Sequence, residues 1–205
     1  MDWQKASVEL AKKLDPSAVR QRSQSGQSLS YVEGWFVIAE ANRIFGFEGW
    51  TRETLDIRCV AERERKIGKA PNQRDGWTVT YTARVRVTVD GVVRDGVGAG
   101  HGIGTDLGEC HESAIKESET DAMKRALMTF GNPLGLALYD KARENVGVNV
   151  DDSAVTEAVD CFAKADTLDA ANAIWRDLPA DLKADARVID AAKAAKARNK
   201  PQVAA

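Results

Sequence analysis

Asp90-Gly91 stands between two stretches in which β-branched and polar side chains alternate, and no other feature of the chain narrows its fold so much. A two-residue turn of this kind needs positive φ at both positions, which aspartate and glycine tolerate, and its twist matches that of paired antiparallel strands. Trp77 to Val89 and Val92 to Val97 are therefore expected to pair. Upstream, Thr51, Glu53, Leu55, Ile57 and Cys59 alternate with Arg52, Thr54, Asp56 and Arg58, which predicts a further strand with these two sets on opposite faces. Ala61 to Asp75 is polar and basic, with Gly68 and Pro71 as punctuation, so it reads as the charged tip of a long hairpin. The sum is an antiparallel meander of three strands.

Helices are expected on both sides of it. From Trp3 to Leu14 the apolar residues recur near helical spacing, and Asp15-Pro16 ends the run because the residue before proline is pushed out of the α region. Arg20 to Ser30 is rich in Ser and Gln and reads as a loop, Tyr31 to Glu33 as extended, and Trp35 to Phe45 as a helix stopped at Gly46. Glycines at 96, 98, 100, 102 and 104 alternate with larger residues, a composition that permits close approach by another backbone and suits a flexible connector from strand to helix. Glu109 to Phe130 then carries Ile115, Ala122, Met123, Ala126, Leu127 and Phe130 on one side, and stops at Gly131-Asn132-Pro133. Beyond Asn145 the chain turns to alanine and aspartate, with Asp151-Asp152-Ser153 as a cap and Leu178-Pro179 as a break between helical stretches. The fold class is thus α+β: an antiparallel β-β-β-α core domain with N-terminal helices over residues 1–144, then a linker near 144–152 and a small all-α C-terminal region, the second unit covering 145–205.

Composition excludes several classes. With 29 basic and 31 acidic side chains the formal charge is -2, so affinity for a polyanion has to come from local clustering. The N-terminus lacks the charged start and apolar run of a secretory signal, and no stretch approaches about 18 apolar residues, so a soluble, cytoplasmic protein is expected, nucleoid-associated in a bacterial or phage setting. Cys59, Cys110 and Cys161 are widely spaced and odd in number, which suits a reducing compartment and buried, inert thiols.

Enzyme signatures are weak. The glycine run fits neither G-x-G-x-x-G nor G-x-x-x-x-G-K-[ST], and it follows an antiparallel meander instead of a parallel strand. Cys110-His111-Glu112 invites a metal, yet consecutive residues on a helix point about 100° apart and do not chelate one ion together. No catalytic residue, cofactor or metal is expected. What stands out instead is basic: Lys124 and Arg125 on the long helix, Arg84 and Arg86 on one face of their strand, Arg20 and Arg22 in the early loop, and Arg63, Arg65, Lys66, Lys69 and Arg74 along the hairpin tip. Composition by itself leaves open whether these form a track or are scattered surface cations.

Tyr31-Val-Glu-Gly34, Ala41-Asn-Arg-Ile-Phe-Gly-Phe-Glu-Gly-Trp50, Asp90-Gly91 and Thr120-Asp-Ala-Met-Lys-Arg-Ala-Leu-Met-Thr-Phe-Gly-Asn-Pro-Leu-Gly135, in this order, resemble the Rad52 family of single-strand annealing proteins, over about Leu14 to Tyr139. The resemblance implies a β-β-β-α domain assembled into a homo-oligomeric ring, with single-stranded DNA in a basic groove and annealing of complementary strands without ATP. It matches Lys124 and Arg125 to paired basic residues on the groove-facing helix and Arg22 to a basic residue near the first motif. Met128 and Thr105 depart from the family, standing where eukaryotic members carry an arginine and, nearby, a lysine of a second DNA contact. The basic tip from Arg63 to Arg74 is then expected to substitute. The C-terminal helices lie outside the resemblance, and two roles stay open for them: docking a partner such as a single-strand DNA-binding protein, or capping the ring. Lys193, Lys196, Arg198 and Lys200 at the end are candidates for further phosphate contacts. A module for double-stranded or structured nucleic acid is the alternative on the same architecture, and a nuclease a more distant one.

Overall fold

The computed structural model describes residues 1–24 and 26–199; Lys200 lies outside the described residues. The chain divides into two compact units, Met1–Gly147 and Val148–Ala205. In the first, α1 (Trp3–Ala11) is followed by β1 (Val19–Gln24) and β2 (Gln27–Val32), α2 (Gly34–Phe45), the strands β3 (Trp50–Ile67), β4 (Arg74–Val89) and β5 (Val92–Gly104), and α3 (Leu107–Met128). The second holds α4 (Asp152–Lys164), α5 (Leu168–Asp177), α6 (Ala180–Ala184) and α7 (Ala186–Arg198). This is the expected α+β architecture, a three-stranded antiparallel sheet in the order β3-β4-β5 followed by α3, with helices before and after. Asp90 and Gly91 take φ values of 46° and 83°, the two-residue turn their sequence calls for, and Val89 pairs with Val92 across it.

Val79, Ala83, Val85, Val87 and Val89 point from β4 toward α3 and are buried, while Arg84 and Arg86 alternate with them on the other face. Two irregularities in β3 change its alternation. Thr54 pairs with Val85 and Asp56 with Arg84, so Leu55 is an extra residue; Val60 is a second one, between Cys59 opposite Tyr81 and Ala61 opposite Thr80. Arg52 and Thr54 therefore share the α3-facing side with Ile57 and Cys59, which corrects the uninterrupted alternation expected over residues 51–59.

The glycine run is where the structure departs most from expectation. Gly96, Gly98, Gly100 and Gly102 are not a connector but the interior of β5, and each faces the backbone of α3. A Cβ at Gly96 would lie 2.1 Å from Ala122 O, at Gly98 2.3 Å from Ala122 N, at Gly100 2.1 Å from Ala114 O, and at Gly102 1.8 Å from Cys110 O. The helix answers with Cys110, Ala114, Ser118, Ala122 and Ala126, one small residue every fourth position. Two residues of strand span about 6.7 Å and four of helix about 6 Å, so the two small-residue stripes run nearly in step. Ser118, the one buried polar residue among those described, donates its hydroxyl to Ile115 O at 2.9 Å within the helix and leaves the contact smooth.

Other boundaries moved for local reasons. The polar stretch Arg20 to Ser30 is not a loop but lies in the β1–β2 hairpin, with Arg20 opposite Tyr31 and Arg22 opposite Leu29. It carries no apolar alternation because the ribbon is mostly exposed on both faces. The helix expected over Trp3 to Leu14 ends at Ala11; Leu14 is fully buried and extended, with its N–H donating to Asn145 O and its carbonyl accepting from Gly147 N. The charged tip is shorter than expected, since β3 and β4 stay paired out to Ile67 and Arg74. In the C-terminal unit, Phe162, Val155, Ala171 and Val188 form the buried centre, and Arg198 donates to the carbonyls of Phe162, Ala163 and Ala165. That guanidinium therefore caps the end of α4. Of the thiols expected to be buried, only Cys110 is; Cys59 and Cys161 are exposed.

Gly98→Ala is expected to destabilise the first unit by about 3 kcal/mol or more in chemical denaturation, although alanine ordinarily favours a strand over glycine. Ala99→Ser, one residue on and facing away from α3, should stay within about 0.5 kcal/mol.

Candidate nucleic-acid interface

With α3 fixed on β5, the rotation of the helix determines what its cations meet. Met123 and Leu127 enter the core beneath, and Glu119 is tied to β3, accepting from Thr54 Oγ1 at 2.6 Å with Arg52 Nη2 at 3.6 Å. Lys124 then emerges beside the β1–β2 hairpin. Its Nζ is 3.4 Å from Val32 O, to which it donates, and 5.9 Å from the centre of the Tyr31 ring. The Arg22 guanidinium lies over the same ring at 5.8 Å, and one of its nitrogens is 3.9 Å from Glu117 Oε1. Two cations thus converge on one aromatic ring, each favoured by its negative π-face.

Lys124 is half-buried and has no carboxylate partner within salt-bridge distance among the described residues. Burial pushes its ammonium below the usual lysine range and the Arg22 charge acts the same way, with Asp121 and Glu117 opposing. An ammonium that has lost water without a carboxylate in direct contact is well suited to take an anion from outside. Arg125, about 100° further around the helix, is exposed and forms no ion pair among the described residues.

The remaining basic candidates are not brought to this place. Arg84 and Arg86 lie on the sheet face away from α3, where both hold Asp95 of β5, at 2.5 and 2.9 Å. Hydrogen bonds from Arg86 and then Arg84 lower the Asp95 carboxyl to about 2. Arg63, Arg65 and Arg74 share that outer face toward the far end of the hairpin, Lys66 is paired with Asp75, and Lys69 sits in the turn. Among the terminal cations, Lys193 reaches Asp190 at 3.6 Å and Lys196 lies 5.8 Å from the Trp175 ring centre. Tyr31 is the residue that sequence reasoning passed over. Its signal is the two-strand register, which sets it beside Arg20 and two pairs from Arg22, and which is legible only once the polar segment is known to be a hairpin.

The fold and this cation cluster define a class: a β-β-β-α protein whose last helix is packed backbone to backbone on a glycine strand and presents basic residues beside an N-terminal hairpin. The family model described as Rad52/22 family double-strand break repair protein matches residues 2–156, and the chain belongs to that family. Its relatives include the DNA repair and recombination proteins RAD52 of Saccharomyces cerevisiae, 40% identical over 141 residues, and RAD52 of Eremothecium gossypii, 39% identical over 138. Rad22 of Schizosaccharomyces pombe is 39% identical over 136 residues. These matches cover 65%, 65% and 64% of this chain but 27%, 30% and 28% of the respective relatives, so the chain spans less than a third of their length. No helix among the described residues is long and apolar enough to cross a membrane.

Because the folded-state value of Asp95 lies below its ordinary 3.8, the pair with Arg84 and Arg86 stabilises the fold fully above that value and loses its contribution as pH falls toward about 2. Denaturant titrations of wild type and Asp95→Asn between these limits should show the acid-dependent loss in wild type and a flatter profile in the variant.

Proposed function

We propose that this chain binds single-stranded DNA along Lys124, Arg22 and Arg125 and promotes annealing of complementary strands without a nucleotide cofactor. The observation that carries this is the half-buried Lys124 ammonium, without a salt-bridge partner among the described residues and set with Arg22 around Tyr31, at the helix where family resemblance puts the DNA groove. Lysine and arginine neutralise phosphates and release counterions, so the affinity is tolerant of sequence and falls steeply with salt. Holding both strands by their backbones removes the repulsion between them, and base pairing then supplies roughly 1.4 kcal/mol per stacked step. Nothing in this sequence of events calls for ATP, for a metal or for a covalent intermediate.

Self-association belongs to the same proposal. β3 and β5 are both edge strands, and Val93, Val97 and Ile103 stand exposed on the sheet face away from α3. Unpaired edges and apolar side chains of this kind favour packing against another copy. Arg84, Arg86, Arg63, Arg65, Lys66, Lys69 and Arg74 are assigned to a secondary contact, weakened where Asp95 and Asp75 already share their charge. The C-terminal helices are proposed as a docking unit for a partner protein such as a single-strand DNA-binding protein.

Lys124→Ala combined with Arg125→Ala should weaken single-strand binding at least tenfold and lower the slope of log K against log salt by about 1.4, the loss of two phosphate contacts. Sedimentation should show the oligomer unchanged. Wild-type affinity and slope in the double variant, or a preference for duplex over single strand in wild type, would remove these residues from the interface. Arg84→Ala with Arg86→Ala is expected to cost less, since Asp95 already offsets one of the two charges.

A further inference from the structure

At the start of α3, about 20 Å along the helix axis from Lys124, three side chains with metal-ligating atoms meet from two elements. Cys59 and Glu62 are three residues apart in β3 and in a regular strand would point to opposite faces. The extra residue Val60 restores their parity: Cys59 pairs with Tyr81 and Glu62 with Val79, so both project on the α3 side. His111 comes down from α3 to meet them, and the ligand atoms of all three lie within 4.8 Å of one another. His111 Nε2 is 3.1 Å from Glu62 Oε2, and Nδ1 is 3.2 Å from Tyr81 Oη, with the two rings edge to face at 5.8 Å. Cys59 and Glu62 are exposed and His111 is partly so, which leaves one side open to water.

We propose that Cys59, Glu62 and His111 bind a divalent transition metal, zinc by preference, with a solvent oxygen completing the coordination. The donor set decides the class: one thiolate, one imidazole and one carboxylate suit zinc and its neighbours, whereas magnesium and calcium take oxygen ligands alone. Metal bonds of about 2.0–2.3 Å put tetrahedral ligands about 3.5 Å apart, so side-chain rotations of about 1 Å close the cluster. Tyr81 supplies the outer support that ligating histidines need: its hydroxyl accepts from Nδ1–H and leaves the Nε2 lone pair for the metal. Bound there, the ion staples the first turns of α3 to β3 at the bulge. This site is independent of the DNA interface and stands or falls without it.

Titration of the full chain with cobalt alone should give a saturable near-ultraviolet thiolate charge-transfer band, which zinc added alone displaces. Cys59→Ser should abolish the band, and His111→Gln should weaken binding at least tenfold. Tyr81→Phe should keep the band with affinity lowered by about tenfold, the usual effect of losing an outer-shell partner. Zinc should raise the thermal midpoint of wild type but not of Cys59→Ser, whose circular dichroism serves as the folding control. Cys161→Ser, altering the other exposed thiol, should change nothing. Absence of a saturable band in wild type, its survival in Cys59→Ser, or its loss in Cys161→Ser would each overturn the proposal.

Discussion

The contact between the backbone of β5 and the backbone of α3 is the constraint on which the rest of the molecule depends. Four glycines on the strand and a stripe of small residues on the helix bring main chain against main chain, with no side chain between to act as a spacer. Such a contact gains dense dispersion attraction and orders almost no rotamers, because glycine and alanine have none to lose. It is also intolerant, since a single methyl group at the seam would have to occupy space already filled by peptide atoms. Sliding the helix by one residue or turning it by a few tens of degrees would put larger side chains over the glycines.

Fixing the helix fixes everything it carries. Met123 and Leu127 go into the core, Glu119 goes to β3, His111 goes over Tyr81, and Lys124 goes to the β1–β2 hairpin, all from one rotation about one axis. The electrostatic character of Lys124 then follows from its place. Half-buried beside a second cation, it is held below the usual lysine range by lost solvation, and an arriving phosphate would relieve both strains at once. In a site of lowered dielectric that interaction is stronger than the same pair on an open surface. Arg84 and Arg86 differ because Asp95 reached them first.

Much of this was legible in the residues themselves. Period-two alternation and Asp90-Gly91 give the meander, and apolar residues at helical spacing with glycine or proline stops give the helices, because these signals are local and span only a dozen neighbouring residues. The glycine run was harder. Its meaning lies in a partner helix that begins a few residues later, and alternating glycine looks the same in a mobile linker and in a tightly packed seam. The polar hairpin from Val19 to Val32 gives no such signal, because a ribbon exposed on both faces has no apolar rhythm to announce it, and the position of Tyr31 depends on that hairpin. Likewise the two extra residues in β3 reverse which side chains share a face, and only the pairing register reveals them. Alternation puts Arg84 and Arg86 on one face, but nothing in their own segment says that Asp95 lies between them.

The central claim is that a cation cluster anchored by the glycine seam brings two complementary strands together without an energy source. It is tested most directly by mixing complementary oligonucleotides with the full chain at moderate salt, with and without ATP, and following duplex formation over time. The account predicts annealing faster than the spontaneous rate, indifferent to ATP and progressively suppressed as salt rises. Annealing no faster than spontaneous at any salt, or acceleration only when ATP is present, would contradict it.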